Sequence, residues 1–168
     1  MVFTKPAHEV LTTSRFYVGL FLDGSDEAVD GYFQECKGMK ASQDVIECPE
    51  VVPLAWGNAS HGRFSNVKIP GNLKVSNITL VRSLRSSQTL WKWLSDVQQG
   101  AWAEQRRNGA IVIYRQDASE GARFVFERAW PASYKCSDVK ASGGDLAVEE
   151  LELACEVFER VDPGGETT

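Results

Sequence analysis

The chain has 168 residues, 43% of them hydrophobic, and a formal net charge of −5. A chain of this length suits one domain that buries about 70% of its unfolded surface and needs neither metal nor disulfides to fold. The acidic balance argues against a nucleic-acid binder that works by neutralising phosphates, and no apolar run approaches the length that spans a membrane.

Residues 1–14 mix Thr, Lys, Pro and His without periodicity and read as an arm. They have neither the apolar core nor the cleavage site of a secretory leader, so the protein is expected to be made in the cytoplasm and to stay there unless an assembled machine carries it out. Phe16 to Leu22 reads as a strand with Phe16, Val18, Leu20 and Leu22 on one face. Asp23-Gly24 starts a turn, and Gly31 to Lys37 returns as a second strand, so the two should form an opening hairpin.

Residues 45–70 read as an extended hairpin or loop. Val52, Leu54 and Trp56 alternate on one arm, Gly57 to Gly62 turns, and Phe64, Val67 and Ile69 lie on the returning arm. Pro49 and Pro53 exclude a central strand but permit an edge or a projection. Large apolar residues on a projection make an exposed patch that soluble monomers seldom carry, so something must cover it. Ile69-Pro70-Gly71 then reads as a stop. Leu73 to Arg82 follows as a strand whose phase slips near Asn77, which implies a β-bulge or burial of both faces.

The period then changes. A helix is predicted over about 87–100, with Ser87 as N-cap, Leu90, Trp93, Leu94 and Val97 on one stripe, and Gly100 as C-cap. Trp93 belongs to the core stripe. Trp91 sits about 100° round from Leu90, at the edge of the stripe, and is either protomer core or a subunit contact. Arg106-Arg107-Asn108-Gly109 predicts a turn with positive φ. Ala110 to Arg115 and Arg123 to Ala129 form a hairpin across Asp117 to Gly121, with Phe124 and Phe126 on a common face. Trp130-Pro131 marks a sharp change, with Trp130 again either core or contact, and Ala132 to Val139 is a short strand. In Val148 to Val161, Leu151, Leu153, Cys155 and Val157 alternate against Glu150, Glu152 and Glu156. Period two outweighs the helical propensity of Glu, Leu and Ala, so this is a strand with the three glutamates opposite the core.

Two blocks resemble the contractile phage tail-tube protein family, which comprises T4-like tail tubes and the inner tubes of contractile injection systems. The first is Ile69-Pro70-Gly71, then Asn77-Ile78-Thr79-Leu80 with Arg82 two residues on, then Leu90-Trp91-Lys92-Trp93. The second is Ala129-Trp130-Pro131 followed by Val148-Glu149-Glu150-Leu151-Glu152-Leu153-Ala154. Ser83 stands where a glycine is usual and Cys155 where a histidine is common. The resemblance implies a mainly β fold: two packed antiparallel sheets forming a barrel-like sandwich, with one helix. It further implies a single tail-tube domain over 15–161, between an arm (1–14) and a flexible tail (162–168), and six protomers to a ring with rings stacked into a hollow tube. On that basis Val52, Leu54, Trp56, Phe64, Ile69, Trp91 and Trp130 are candidate subunit or ring contacts, and Glu150, Glu152 and Glu156 candidate lumen-facing residues, with Arg106 and Arg107 turned elsewhere. The implied partners are a sheath protein, baseplate and terminator proteins, and cargo or DNA that passes through the lumen without specific binding; no membrane insertion is implied.

Enzymatic readings fail on inventory. The chain has no G-x-S-x-G, P-loop, G-x-G-x-x-G or H-E-x-x-H motif, and His8 and His61 fall in an arm and a loop tip. Cys36, Cys48, Cys136 and Cys155 are dispersed, with no C-x-x-C, and read as buried free thiols of a reducing compartment. The glutamates of the last strand read as a solvated or lumen-lining face rather than a metal site, and Arg106-Arg107 with Trp102 as surface rather than a phosphate contact. No catalytic residue, cofactor or metal is expected. Besides the tube subunit, two readings stand: a type VI-like secreted hexameric tube or effector carrier, and a small-molecule-binding β-barrel whose aromatic residues line a pocket.

Overall fold

A computed structural model describes residues 10–20, 33–56, 59–84, 87–139, 141, 144 and 146–162, with backbone alone over 51–56 and 59–63. The chain divides into two compact units, one made of residues 1–39 with 76–168 and the other of Lys40–Val75.

In the first unit the described strands are β1 (Phe16–Leu20), β2 (Glu35–Lys37), β5 (Ile78–Ser83), β6 (Arg107–Tyr114), β7 (Glu120–Cys136), β8 (Val148–Ala154) and β9 (Val157–Val161), with helix α1 (Thr89–Asp96). The second unit is one long hairpin, β3 (Ala41–Trp56) with β4 (Ala59–Val75).

All pairing in the first unit is antiparallel. One sheet runs β1-β6-β7-β9 and the other β7-β8-β5-β2, so β7 belongs to both. The change of sheet falls where the sequence marks it. Arg123 to Glu127 pair with β9, and from Trp130 the same strand pairs with β8. Between them Arg128 adopts φ +51, and the Asn108 side-chain oxygen accepts its backbone N–H at 2.9 Å. That bond secures a left-handed corner which a non-glycine residue rarely takes. Ala132 to Cys136 is therefore the second half of β7 rather than a separate strand. Among the described residues the sheets do not close into a barrel, because β1, β2 and β9 each have a single neighbour.

Alternation and helical periodicity both deliver the core. Val18, Leu20, Ile78, Leu80, Ile111, Phe126, Leu151 and Leu153 meet Leu90 and Trp93 of α1 in one cluster. The Trp93 indole N–H donates to the Gln105 carbonyl at 2.8 Å, which satisfies its single polar atom. The α-helix is shorter than predicted: a π-turn over Val97–Ala101 ends it, with Gly100 at φ +102 doing the work of the predicted C-cap. The Ser87 hydroxyl accepts the Thr89 N–H at a long 3.5 Å, and Gln88 occupies the N-cap position.

Several expectations are corrected. Among the described residues the opening hairpin does not form, since β1 pairs with β6 and β2 with β5, in different sheets, while the turn expected at Asp23-Gly24 lies outside the described residues. Ile69-Pro70-Gly71 is not a stop but lies within β4, where Val45 faces Pro70 and Gln43 faces Leu73, so one extra residue bulges on β4. The phase slip at Asn77 is the boundary between β4 and β5, not a bulge in one strand. Asn108-Gly109 is strand, and Gly109 is small because a Cβ there would run into the Phe126 ring. The final segment is two strands interrupted at Cys155 and Glu156.

Candidate assembly surfaces

The hairpin carries apolar residues that water reaches. Phe64 is 69% exposed, Val45 62% and Ile69 45%. Register places Val51 opposite Phe64, Pro53 opposite Gly62 and Leu54 opposite His61, so the turn is shorter than predicted and His61 belongs to β4. The side chains of Val52, Leu54 and Trp56 lie outside the described residues, as does the structure of Gly57 and Asn58. The prolines fit because in a two-stranded ribbon each strand has one open edge, where a missing N–H costs no ladder bond.

A second surface is the outward face of the β7-β8-β5-β2 sheet. Register across it gives a row Lys37, Thr79, Glu152, Ser133 and a row Glu35, Val81, Glu150, Lys135. Glu150 and Glu152 are half-buried on this face, and the Asn77 amide donates to Glu152 Oε1 at 2.8 Å. Lys37 lies 2.8 Å from Glu35, whose hydrogen bond, with a smaller attraction from Glu150, holds the Lys37 ammonium above its ordinary pKa. The face is thus a lattice of carboxylates interleaved with lysines rather than a purely acidic strip.

Glu156 does not share it. The residue follows the end of β8, and its carboxylate is divided between Arg106 Nη1 at 3.1 Å and Arg128 Nε at 2.6 Å. Arg106 in turn stacks over Trp102 at 5.2 Å. Period two stops at Ala154, so the expectation that Glu156 faces the same way as Glu150 and Glu152, with Arg106 turned away from the three, is overturned. Arg107 donates to Gln105 Oε1 at 3.0 Å.

Sequence reasoning missed the chain of contacts that ties the surface to the core. Arg82 on β5 and Glu149 on β8 are cross-strand partners and both are buried, with Nε to Oε1 at 2.5 Å. The other Glu149 oxygen accepts the Tyr134 hydroxyl at 2.6 Å. Partial burial, then the Glu149 bond, pushes the Tyr134 phenol up to about 12. Trp91 of α1, 53% exposed, meets the Tyr134 ring edge-on at 5.4 Å. The signal was available: alternation puts Arg82 with Ile78 and Leu80, and Glu149 with Leu151 and Leu153, on core faces. Trp91 is therefore a surface residue resting on this network, while Trp130 is half-buried at the β7 corner.

A groove of about 350 Å³ lies along β1, β2 and β6, lined by Phe16, Cys36, Met39, Ile111 and Ile113 with Thr13, Gln34 and Glu35. Burial pushes the Cys36 thiol up to about 12, which keeps it protonated and unreactive. The four cysteines are free, but Cys136 is exposed and Cys36, Cys48 and Cys155 are only partly buried. Among the described residues no three His, Cys, Asp or Glu side chains are placed to hold a metal, and no helix is long and apolar enough to cross a membrane.

The comparisons with known proteins agree with one another. A family model described as T4-like virus tail tube protein gp19 matches residues 12–159. Three solved structures share the fold. The first, the sheath-tube complex of an extracellular contractile injection system (PVC) in the extended state, is 21% identical with a TM-score of 0.73, over 92% of this chain and 93% of that one. The second, the tube-terminating cap of the anti-feeding prophage, is 20% identical with a TM-score of 0.73, over 96% and 99%. The third, the anti-feeding prophage baseplate, is 16% identical with a TM-score of 0.68, over 91% and 96%. No curated protein sequence matches.

Proposed function

The chain belongs to the T4-like virus tail tube protein family, and from that premise we propose that copies of it join head to tail into six-membered rings whose stacking makes the conduit of a contractile tail or injection particle. It is a structural tube subunit, and its place is in such a particle. Head-to-tail contacts between identical protomers make rings where the rotation closes. The observation that carries the reading is the hairpin, whose exposed apolar side chains have no use in an isolated soluble protein.

Hairpin residues Val52, Leu54, Trp56, Phe64 and Ile69, with Trp91 on α1 and Trp130 at the β7 corner, supply the proposed subunit contacts. The Glu150–Glu152 face lines the channel. There its interleaved lysines keep the repeated charge low, so neither nucleic acid nor protein cargo is held by the wall. A sheath surrounds the tube, and a baseplate and a terminating cap close its ends. The subunit is made in the cytoplasm and catalyses no reaction.

Negative-stain microscopy of the purified chain at rising concentration tests the reading. Rings or tubes are expected; compact monomers alone, at every concentration and salt, would remove it. Rapid maleimide labelling of Glu152→Cys on assembled tubes, matching that of an exterior control, would remove the channel assignment alone.

A further inference from the structure

Among the described residues the charged side chains buried in the core are Arg82, 1% exposed, and Glu149, 2% exposed. They stand opposite each other on β5 and β8. Glu149 is held from both neighbouring strands. One of its oxygens accepts Arg82 Nε–H from β5, and the other accepts the Tyr134 hydroxyl from β7. The Phe33 ring, just ahead of β2, lies 6.0 Å from the Arg82 guanidinium.

Stability alone does not explain a buried pair. Losing one partner is costly, but replacing the whole pair by well-packed apolar side chains is often neutral or favourable, because desolvating two charges offsets their attraction. The residues beside the pair show what an apolar replacement would leave open. On the core faces β5 carries Ile78 and Leu80, and β8 carries Leu151 and Leu153. A slip by one residue would turn one strand's side chains to the wrong face, so alternation forbids it. A slip by two keeps the faces. In one direction it sets Leu80 against Leu153, in the other Ile78 against Leu151, and one aliphatic pair simply replaces another. Arg82 is what changes: it would face Leu151 or Ala147, with Glu149 displaced by about 7 Å along the strand. A charge would then be buried opposite an apolar side chain.

We infer that Arg82 and Glu149, with Tyr134, are positioning residues that fix the register of β5 on β8. Through that register they set the outward face, on which Thr79 meets Glu152 and Val81 meets Glu150. The pair selects one alignment among several that the aliphatic ladder alone would accept. This is a property of the protomer and does not depend on assembly into tubes.

Disulfide trapping on the outward face reads the register. Opposite residues have Cα atoms about 4.5–5.5 Å apart, whereas diagonal ones, at about 7–8 Å, lie beyond the roughly 6.8 Å that a disulfide spans. Thr79→Cys with Glu152→Cys reports the observed alignment. Val81→Cys with Glu152→Cys, and Thr79→Cys with Glu150→Cys, report the two slips. Each pair is oxidised with copper phenanthroline and mapped by peptide mass, in the otherwise unaltered chain and in an apolar background of Arg82→Met, Glu149→Leu and Tyr134→Phe. That background is expected to keep its denaturation midpoint while the slipped disulfides rise by about fivefold or more against the native one, since no charge now forbids them. A pair that merely stabilised the sheet would lower the midpoint and leave the disulfide ratio where it was, and that result overturns the inference. Should the apolar background fail to fold, Glu149→Gln carries the same cysteine pairs, because it removes the charge and keeps the size and hydrogen-bonding atoms. Slipped disulfides must then rise by about twofold or more; a ratio equal to that of the unaltered chain overturns the register assignment.

Discussion

Leu73 and Ile78 are five positions apart and live under opposite regimes. Leu73, in the hairpin, is 68% exposed; Ile78 and Leu80, in the sheet, are fully buried. Both segments are rich in β-formers, so propensity does not separate them. The number of strands and what covers them does. An isolated two-stranded ribbon is marginal in water, whereas several strands closed over by a helix bury a core on their own. On the proposed reading the body folds alone and the hairpin is completed by another copy. Mutations in the two should separate folding from assembly.

The largest effects belong to the body. Trp93→Ala removes a buried indole and its bond to the Gln105 carbonyl, and should cost about 3–5 kcal/mol. Glu149→Ala removes the carboxylate that pairs with buried Arg82 and accepts the Tyr134 hydroxyl; breaking a buried pair costs about 3–5 kcal/mol. Either loss is a large share of the roughly 5–15 kcal/mol that holds a domain together. Chemical denaturation of each variant checks this, and midpoints within error of the unaltered chain would erase the contrast. By the same logic Phe64→Ser in the hairpin should move protomer stability by about 0.5 kcal/mol or less while sharply reducing the yield of tubes on sedimentation. Unfolding by Phe64→Ser would show that the hairpin is part of the protomer's own stability.

How much of this was legible follows from what alternation and helical periodicity record. They record which residues face inward, so Val18, Leu20, Leu90, Trp93, Phe126, Leu151 and Leu153 were readable as core. They do not record which strand pairs with which. The first hairpin failed because β1 and β2 are close in sequence but belong to different sheets, and Asn108-Gly109 failed because a glycine demanded by the Phe126 ring looks the same as one demanded by a turn. Glu149 was grouped with its acidic neighbours, although its parity with Leu151 placed it inside. Glu156 was grouped with Glu150 because nothing in the pattern announces that β8 ends at Ala154. The hairpin was legible as an extended pair of strands, since its alternating apolar arms and its prolines suit a two-stranded ribbon.

A smaller effect sits where the body meets solvent. Trp91→Ala removes one ring of an edge-on aromatic pair that is half in water, and such a pair adds about 0.5–1.5 kcal/mol beyond the area it buries. The protomer should lose about that much on thermal denaturation, placing Trp91 between the Trp93 and Phe64 extremes. A loss as large as that of Trp93→Ala would make it a core residue and move the boundary between the two regimes outward by one helical position.

The smallest effect concerns Tyr134 and is best read against pH. Removing the hydroxyl with Tyr134→Phe leaves one Glu149 oxygen without its donor and should cost about 1 kcal/mol near neutrality. The pH dependence carries the sign. The folded-state phenol is raised to about 12 from an ordinary 10, so between those values the native state keeps a proton that the unfolded chain has lost. Its contribution is therefore fully present below about pH 10 and fades as pH climbs toward 12. Cys36 is raised in the same direction by burial, so the bare profile of either protein mixes several groups. The difference between the unaltered chain and Tyr134→Phe isolates one. The stability gap should be flat from pH 7 to about 9.5 and narrow steadily above it. A gap that stayed constant to pH 11 would mean that Tyr134 titrates alike in the folded and unfolded chain. Its bond to Glu149 would then be too weak to tie Trp91 to the buried ion pair.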